Sequence, residues 1–177
     1  MATEISTKLA EKIQQGTGQN VYLCYQCVKC TSGCPLAEEF DVEPNQVMRM
    51  VQLGDEIVLE SKTIWTCASC LNCSTRCPQG LDIAGVMDAL RQESRRQGKA
   101  ALKDVTTFDD IFMGNIKFSG RLYEPALLGL RNLAYGRLMQ DMDMGLPMLR
   151  KGKLNLIPSI ILSPLKVPDK VKQVEPA

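Results

Sequence analysis

Two stretches of the chain carry most of its chemical content. "CYQCVKCTSGCP" runs from Cys24 to Pro35 and "CASCLNCSTRCP" from Cys67 to Pro78, and both read C-x2-C-x2-C-x3-C-P. Soft thiolates suit an iron–sulfur cube, whose four irons each need one further ligand. Three Cys at x2 spacing wrap one corner of such a cube and turn backbone N–H groups toward its sulfides. The trailing Cys-Pro points away, and in two-cluster proteins it ligates the other cluster. The pattern predicts an exchange of ligands. Cys24, Cys27, Cys30 and Cys77 hold cluster one, and Cys67, Cys70, Cys73 and Cys34 hold cluster two. The count closes at two [4Fe–4S] clusters with no open iron position, so the expected chemistry is electron transfer.

Structural zinc is the plain alternative. It favours two separated C-x2-C hairpins with four thiolates per ion, and a triple run with a trailing Cys-Pro, written twice, matches that poorly. The chain has no His. This excludes a c-type haem site, a Rieske centre, mixed Cys/His zinc fingers, and Cys–His or Ser–His–Asp catalysis. No general base, nucleophile or nucleotide-binding glycine motif is evident, and "GTGQN" at Gly16 is too short for a phosphate loop. The expected role is electron transfer, without catalysis by this chain alone.

All eight Cys of the 177 residues fall inside the two motifs, which leaves none for disulfides and points to a reducing, cytoplasmic compartment. The net charge is +1 and aromatics are 5%, so nothing favours nucleic acid as a partner. The N-terminus lacks the apolar core of a signal peptide. The greasiest stretch, "LNLIPSIILSPL" from Leu154, is too short and too rich in proline to span a membrane.

The elements that must position the thiols read as helices. Ile5, Leu9 and Ile13 give a short amphipathic helix over 3–16, with Gly16 as its terminator. Asp41-Val-Glu-Pro44 reads as a helix start with Pro44 at the first helical position. Val47, Met50 and Val51 form its buried face and Gly54 its end. "DEIVLES" is a further short helix. Asp82 caps a helix with the stripe Ile83, Val86, Met87 and Leu90, and Arg91, Arg95 and Arg96 lie toward its C-terminal end. Trp65 precedes Cys67 and reads first as core packing, second as a shield for cluster two. Lys29 and Arg76 read as solvated charges beside ligating Cys.

Cys24 and Cys67 are 43 positions apart, which leaves room for two helices between the motifs. The fold is therefore expected to be all-α, with cluster loops between helices. The domains read as an N-terminal helix (1–20), a two-cluster domain (21–100), and a C-terminal helical and extended arm (101–177). In the last, a helix is expected over 119–140 with Leu127, Leu130, Ala134 and Leu138 on one side. The prolines beyond it suit an extended arm that covers a partner or its own domain. The methionines at 139, 142, 144 and 148 read as adaptable packing.

Taken together, the two motifs, the Pro-started helix ending "VQLG", the "IWTC" lead-in and the "CPQGLDIAGVMDALR" that closes the second motif resemble the C subunit of heterodisulfide reductase. The likeness is strong over 20–98 and looser through "GRLYE" and "LRKGK". It implies the α-helical ferredoxin fold and the eight Cys as cluster ligands. It also implies a place between two partners, the flavoprotein (A) component and the Cys-Cys-Gly-type catalytic (B) component of such a complex. The alternatives are an autonomous two-cluster ferredoxin and the iron–sulfur subunit of another flavoprotein dehydrogenase. Near-neutral charge and the apolar arm favour fixed assembly over a diffusing carrier.

Overall fold

A computed structural model describes residues 7–136 and, beyond them, 145, 147–148 and 150–152. The described residues are helical, without a strand. The helices are α1 (Thr7–Thr17), α2 (Lys29–Ser32), α3 (Pro44–Leu53), α4 (Thr63–Thr66), α5 (Asn72–Thr75), α6 (Ile83–Arg96), α7 (Lys103–Ser119) and α8 (Glu124–Ala134), with 3-10 turns at Val21–Leu23, Ala37–Glu39 and Glu56–Glu60. The chain divides into two compact units, with the boundary after Leu102.

In the first unit, α1, α3 and α6 pack their apolar stripes together. Leu9, Ala10, Ile13, Val47, Met48, Val51, Val86, Met87 and Leu90 are buried, along with Val58 and Leu59 from the 3-10 turn at Glu56–Glu60 and Ile64 from α4. Each large side chain among them contributes roughly 1.5–3 kcal/mol of burial. On α3 the buried face is Val47, Met48 and Val51, and Met50 is only half-buried. Ile5 lies outside the described residues. Glu93 of α6 is buried and is tied to α1 by Lys12 at 2.5 Å, with Gln97 Nε2 at 2.9 Å on the same oxygen.

Several helix ends follow their sequence signals. Pro44 opens α3, with Glu43 and Gln46 forming a reciprocal capping box before it, and α3 ends at Gly54. Asp82 caps α6 by accepting from Gly85 N at 3.0 Å. The end of α1 is different. Gly16 lies within the helix, which closes at Gly18 (φ +70°), whose N–H donates to Gln14 O at 2.8 Å. A glycine takes that left-handed turn at no steric cost.

Asp41 also departs from its expected place at the start of α3. It instead caps α4, twenty residues on. Its carboxylate accepts from Ser61 Oγ (2.9 Å), Lys62 N (2.8 Å), Thr63 N (2.9 Å) and Thr63 Oγ1 (2.7 Å). Desolvation pushes its pKa up, but these donors outweigh it and hold the carboxyl well below its ordinary 3.8. A depressed folded pKa gives stability that is complete above the unfolded value and lost as pH falls through the folded one. Asp41→Asn is therefore expected to destabilise by about 1–2 kcal/mol at neutral pH, a modest figure for four donors because the carboxylate is solvent-exposed. Denaturant midpoints of both proteins across pH should differ by a constant amount down to the ordinary carboxylate range and converge only below it. A difference that grows as pH falls contradicts this assignment.

In the second unit, α7 and α8 form a helical hairpin. The sequence reading leaves 103–119 unassigned, because Val105, Thr106, Thr107 and Gly114 weaken helix propensity and the apolar side chains are mostly half-exposed. Ser119 ends α7, so the helix expected over 119–140 begins instead at Glu124, with Pro125 in its first turn. Asn115 fastens the connection, accepting from Tyr123 N and donating to Tyr123 O, each at 3.0 Å. Of the expected stripe, Leu127 is buried, Leu130 and Ala134 are exposed, and Leu138 lies outside the described residues. Most of the proline-broken arm, with Met139, Met142 and Met144, also lies outside them. No helix among the described residues is long and apolar enough to cross a membrane.

Candidate iron–sulfur centre

The two Cys motifs are held by two copies of one local structure. In each, alternate residues take positive φ: Gln26 (61°) and Val28 (64°) in the first, Ser69 (49°) and Leu71 (64°) in the second. Left-handed backbone is costly for a β-branched Val. Its recurrence at equivalent positions shows that both loops are shaped by the same demand. Alternation of φ sign turns successive N–H groups to one side, the concave anion-binding arrangement found at many iron–sulfur sites.

The repeat extends to the helix that follows each motif. A hydroxyl after the third Cys receives an N–H from that helix's first turn: Thr31 Oγ1 from Asn45 N at 3.2 Å, and Ser74 Oγ from Ala84 N at 3.1 Å. The same hydroxyls donate onward, Thr31 to Asn45 Oδ1 (2.6 Å) and Ser74 to Asp82 Oδ1 (2.7 Å). Two turns along each helix, one side chain reaches back to the lead-in of its motif. Gln52 Nε2 donates to Val21 O (2.9 Å) and Cys24 O (2.8 Å). Arg91, at the matching place on α6, donates to Ile64 O and Cys67 O. The sequence reading misses Gln52 and sets Arg91 toward the helix C-terminus. The signal lies in the register: Asn45 to Gln52 and Ala84 to Arg91 are equally spaced, as are Val21 to Cys24 and Ile64 to Cys67.

The two motifs meet through α2 and α5. Asn72 Nδ2 donates to Gly33 O. The position before the last Cys is Gly33 in one motif and Arg76 in the other. A Cβ on Gly33 would collide with the Arg76 guanidinium and fall 2.7 Å from its Cδ, so only one of the two equivalent positions has room for a side chain.

Cys34, from the first motif, lines one cavity with Cys67, Cys70 and Cys73 of the second; Pro35, Ala84 and Met87 are among its apolar walls. Around the first motif, Tyr25 feels Cys27, Cys77 and Cys24, and Cys30 feels Cys24. Desolvation, then the Cys27 charge, pushes the Tyr25 hydroxyl pKa up. Burial pushes up the thiols of Cys30 and Cys73, the third Cys of each motif. Cys27 and Cys70, the second of each, are exposed. All eight are free thiols. Among the described residues no three Cys, Asp or Glu converge on a single-ion site. The four thiols of the apolar cavity, beside a loop of alternating φ, fit the donor set of an iron–sulfur cluster.

Trp65 is buried in the core, as its first reading expects, and its Nε1 has no hydrogen-bond partner among the described residues. Lys29 and Arg76 are exposed.

Residues 23–82 match the family described as a 4Fe-4S dicluster domain. This segment is thus similar to domains that carry iron–sulfur clusters. The resemblance to the C subunit of heterodisulfide reductase holds in the relatives that the chain matches. It is 36% identical over 84 residues to the second iron–sulfur C subunit of the CoB–CoM heterodisulfide reductase of Methanocaldococcus jannaschii, covering 48% of this chain and 45% of that protein. It is 39% identical over 75 residues to the C subunit of the ferredoxin:CoB-CoM heterodisulfide reductase of Methanosarcina acetivorans, covering 42% and 30%. It is 32% identical over 96 residues to the C subunit of the H(2):CoB-CoM heterodisulfide,ferredoxin reductase of Methanothermobacter marburgensis, covering 53% and 51%. The chain thus spans about half or less of the length of each of these relatives.

Proposed function

We propose that the protein is an electron-transfer subunit of a heterodisulfide-reductase-like complex. In this reading it holds two [4Fe–4S] clusters between a flavoprotein (A) component and a Cys-Cys-Gly-type catalytic (B) component. Such clusters supply one-electron transfer when bound. Cys24, Cys27, Cys30 and Cys77 would hold the first, and Cys67, Cys70, Cys73 and Cys34 the second. The observation that carries this reading is Cys34, which leaves its own motif to line the cavity of the other. Gln52 and Arg91 hold each motif's first Cys in place through its carbonyl. Cys30, the third Cys of the first motif, is buried, and Cys73, its counterpart in the second, is half-buried. Exposed Cys27 and Cys70 give each site an edge near the surface, one for entry and one for exit of electrons. A cytoplasmic location follows from eight thiols with no disulfide. The C-terminal arm from Leu154 is the docking element of this proposal.

Purification from the native cell without oxygen tests the assignment. The expected result is about eight irons and eight acid-labile sulfides per chain, with a flavoprotein and a Cys-Cys-Gly protein co-eluting. Removing Leu154 to Ala177 should keep the clusters and weaken that co-elution. Stoichiometric zinc without visible charge-transfer absorbance would replace the reading with a structural metal site. A chain that carries iron but elutes alone would make it an autonomous ferredoxin.

A further inference from the structure

The two halves of the cluster domain are built alike, but the side chains that grip them differ in charge. Gln52 is a neutral carboxamide. Its Nε2 is used by the carbonyls of Val21 and Cys24, and its Oε1 receives Arg49 Nη1 at 3.2 Å. Arg91 is a permanent cation. It reaches the carbonyls of Ile64 and Cys67, and its Nη1 lies 3.2 Å from Ser69 Oγ and 2.7 Å from Asp88 Oδ1. We infer that this exchange of Gln52 for Arg91 sets the two clusters at different potentials, with the one held by Cys67, Cys70, Cys73 and Cys34 the higher. The inference rests on the two-cluster reading above.

The sign follows from charge. Reduction adds an electron, and a nearby cation stabilises the reduced form, so the potential rises. The competing charges are weaker: Arg49, which donates to Gln52 Oε1 on the first half, is exposed, so water screens it. Asp88 opposes Arg91, but its side chain is 50% exposed against 23% for Arg91, so water screens the carboxylate more than the guanidinium. Lys29, next to Cys30, places a cation on the first motif. It is exposed, and among the described residues no hydrogen bond of its side chain to the motif offsets the contact that Arg91 makes. Arg76 lies over Gly33 where the two motifs meet, so it bears on both clusters and does little to separate them. Electrons entering at the first motif would then run downhill to the second.

The test is an anaerobic redox titration of the full chain followed by electron paramagnetic resonance. Cys27→Ala and Cys70→Ala identify which signal belongs to which motif. Three variants then read the charge. Arg91→Gln removes the cation at the Cys67 carbonyl, and the second cluster's midpoint should fall toward that of the first. Asp88→Asn leaves the guanidinium without its counter-charge, and the same midpoint should rise. Lys29→Gln should move the first cluster by less than Arg91→Gln moves the second. If Arg91→Gln loses the second cluster, the order of the two midpoints in the unsubstituted chain still decides the question, and Asp88→Asn, which leaves every backbone contact of Arg91 in place, should still raise the second. The inference is overturned if the first motif carries the higher midpoint, or if the second cluster's midpoint does not move in the retained variants. An unsubstituted chain that takes up no iron would instead overturn the electron-carrier reading, and this inference with it.

Discussion

Cys34→Ala is expected to abolish the cluster of the second motif and leave that of the first. The substituted residue sits in the first motif, so the result runs against sequence proximity. The reason is geometric. After Cys30 the chain turns through the short helix α2 (Lys29–Ser32), and Cys34 emerges on the wall of the cavity that Cys67, Cys70 and Cys73 line. Cys77→Ala should do the converse, since Cys77 lies with Cys24 and Cys27 around Tyr25. Each variant should lose about half the iron and sulfide if one cube is lost and one kept. Alanine is preferred to serine, whose oxygen can still ligate. Iron analysis with electron paramagnetic resonance checks the outcome against Cys27→Ala and Cys70→Ala. If Cys34→Ala removes the same signal as Cys27→Ala, each motif holds its own fourth ligand and the exchange is wrong.

Gln52→Leu is expected to cost about 2–4 kcal/mol, because it strips the donor from two backbone carbonyls at once. Leu is close to Gln in volume, so the effect reports the hydrogen bonds and not a cavity. Gln52 is 7% exposed, and its Nε2 bonds Val21 O and Cys24 O, so water has little access to replace it. Those carbonyls begin the first motif, and the loss should therefore appear as earlier release of a cluster. The measurement is the guanidinium midpoint for loss of visible absorbance, under anaerobic conditions, in wild type and variant. Gln52→Glu should behave similarly, since a carboxylate cannot donate. An unchanged midpoint would show that α3 holds the motif by apolar packing alone.

The Cys spacing, the absence of His and the helical periodicities were readable from the sequence because each is a local pattern. Cys at x2 spacing suits one kind of ligand whatever surrounds it. Pro44 and Asp82 announce the starts of α3 and α6 through their own backbone and side-chain chemistry. The stripe Ile83, Val86, Met87 and Leu90 is buried as its spacing demands. Three of the misreadings lie where a local signal had two uses. Asp41 stands before a helix and looks like part of its start, yet its oxygens cap α4 in a segment twenty residues away. Gly16 and Gly18 both suit a helix end, and only Gly18 takes the left-handed turn. Arg91 looks like a helix-end cation, yet it bends back to the Cys67 carbonyl.

The second kind of information came from tertiary structure alone. The doubling of the Cys motif is visible in the letters, but the doubling of its supports is not. Thr31 and Ser74 are alike in their hydroxyls, whereas Gln52 and Arg91 are unlike residues at equivalent places. Their equivalence lies in which backbone atom each one meets, and a sequence records residue types without recording contacts. Close packing of two similar halves leaves room for one side chain where positions 33 and 76 face each other. Each half needs a donor at the carbonyl of its first Cys, which either a carboxamide or a guanidinium can supply. The sequence by itself therefore determined what the chain is able to bind. The folded arrangement decided which thiols share a cavity and which charges stand beside them, because side chains far apart in the chain meet only when the helices pack.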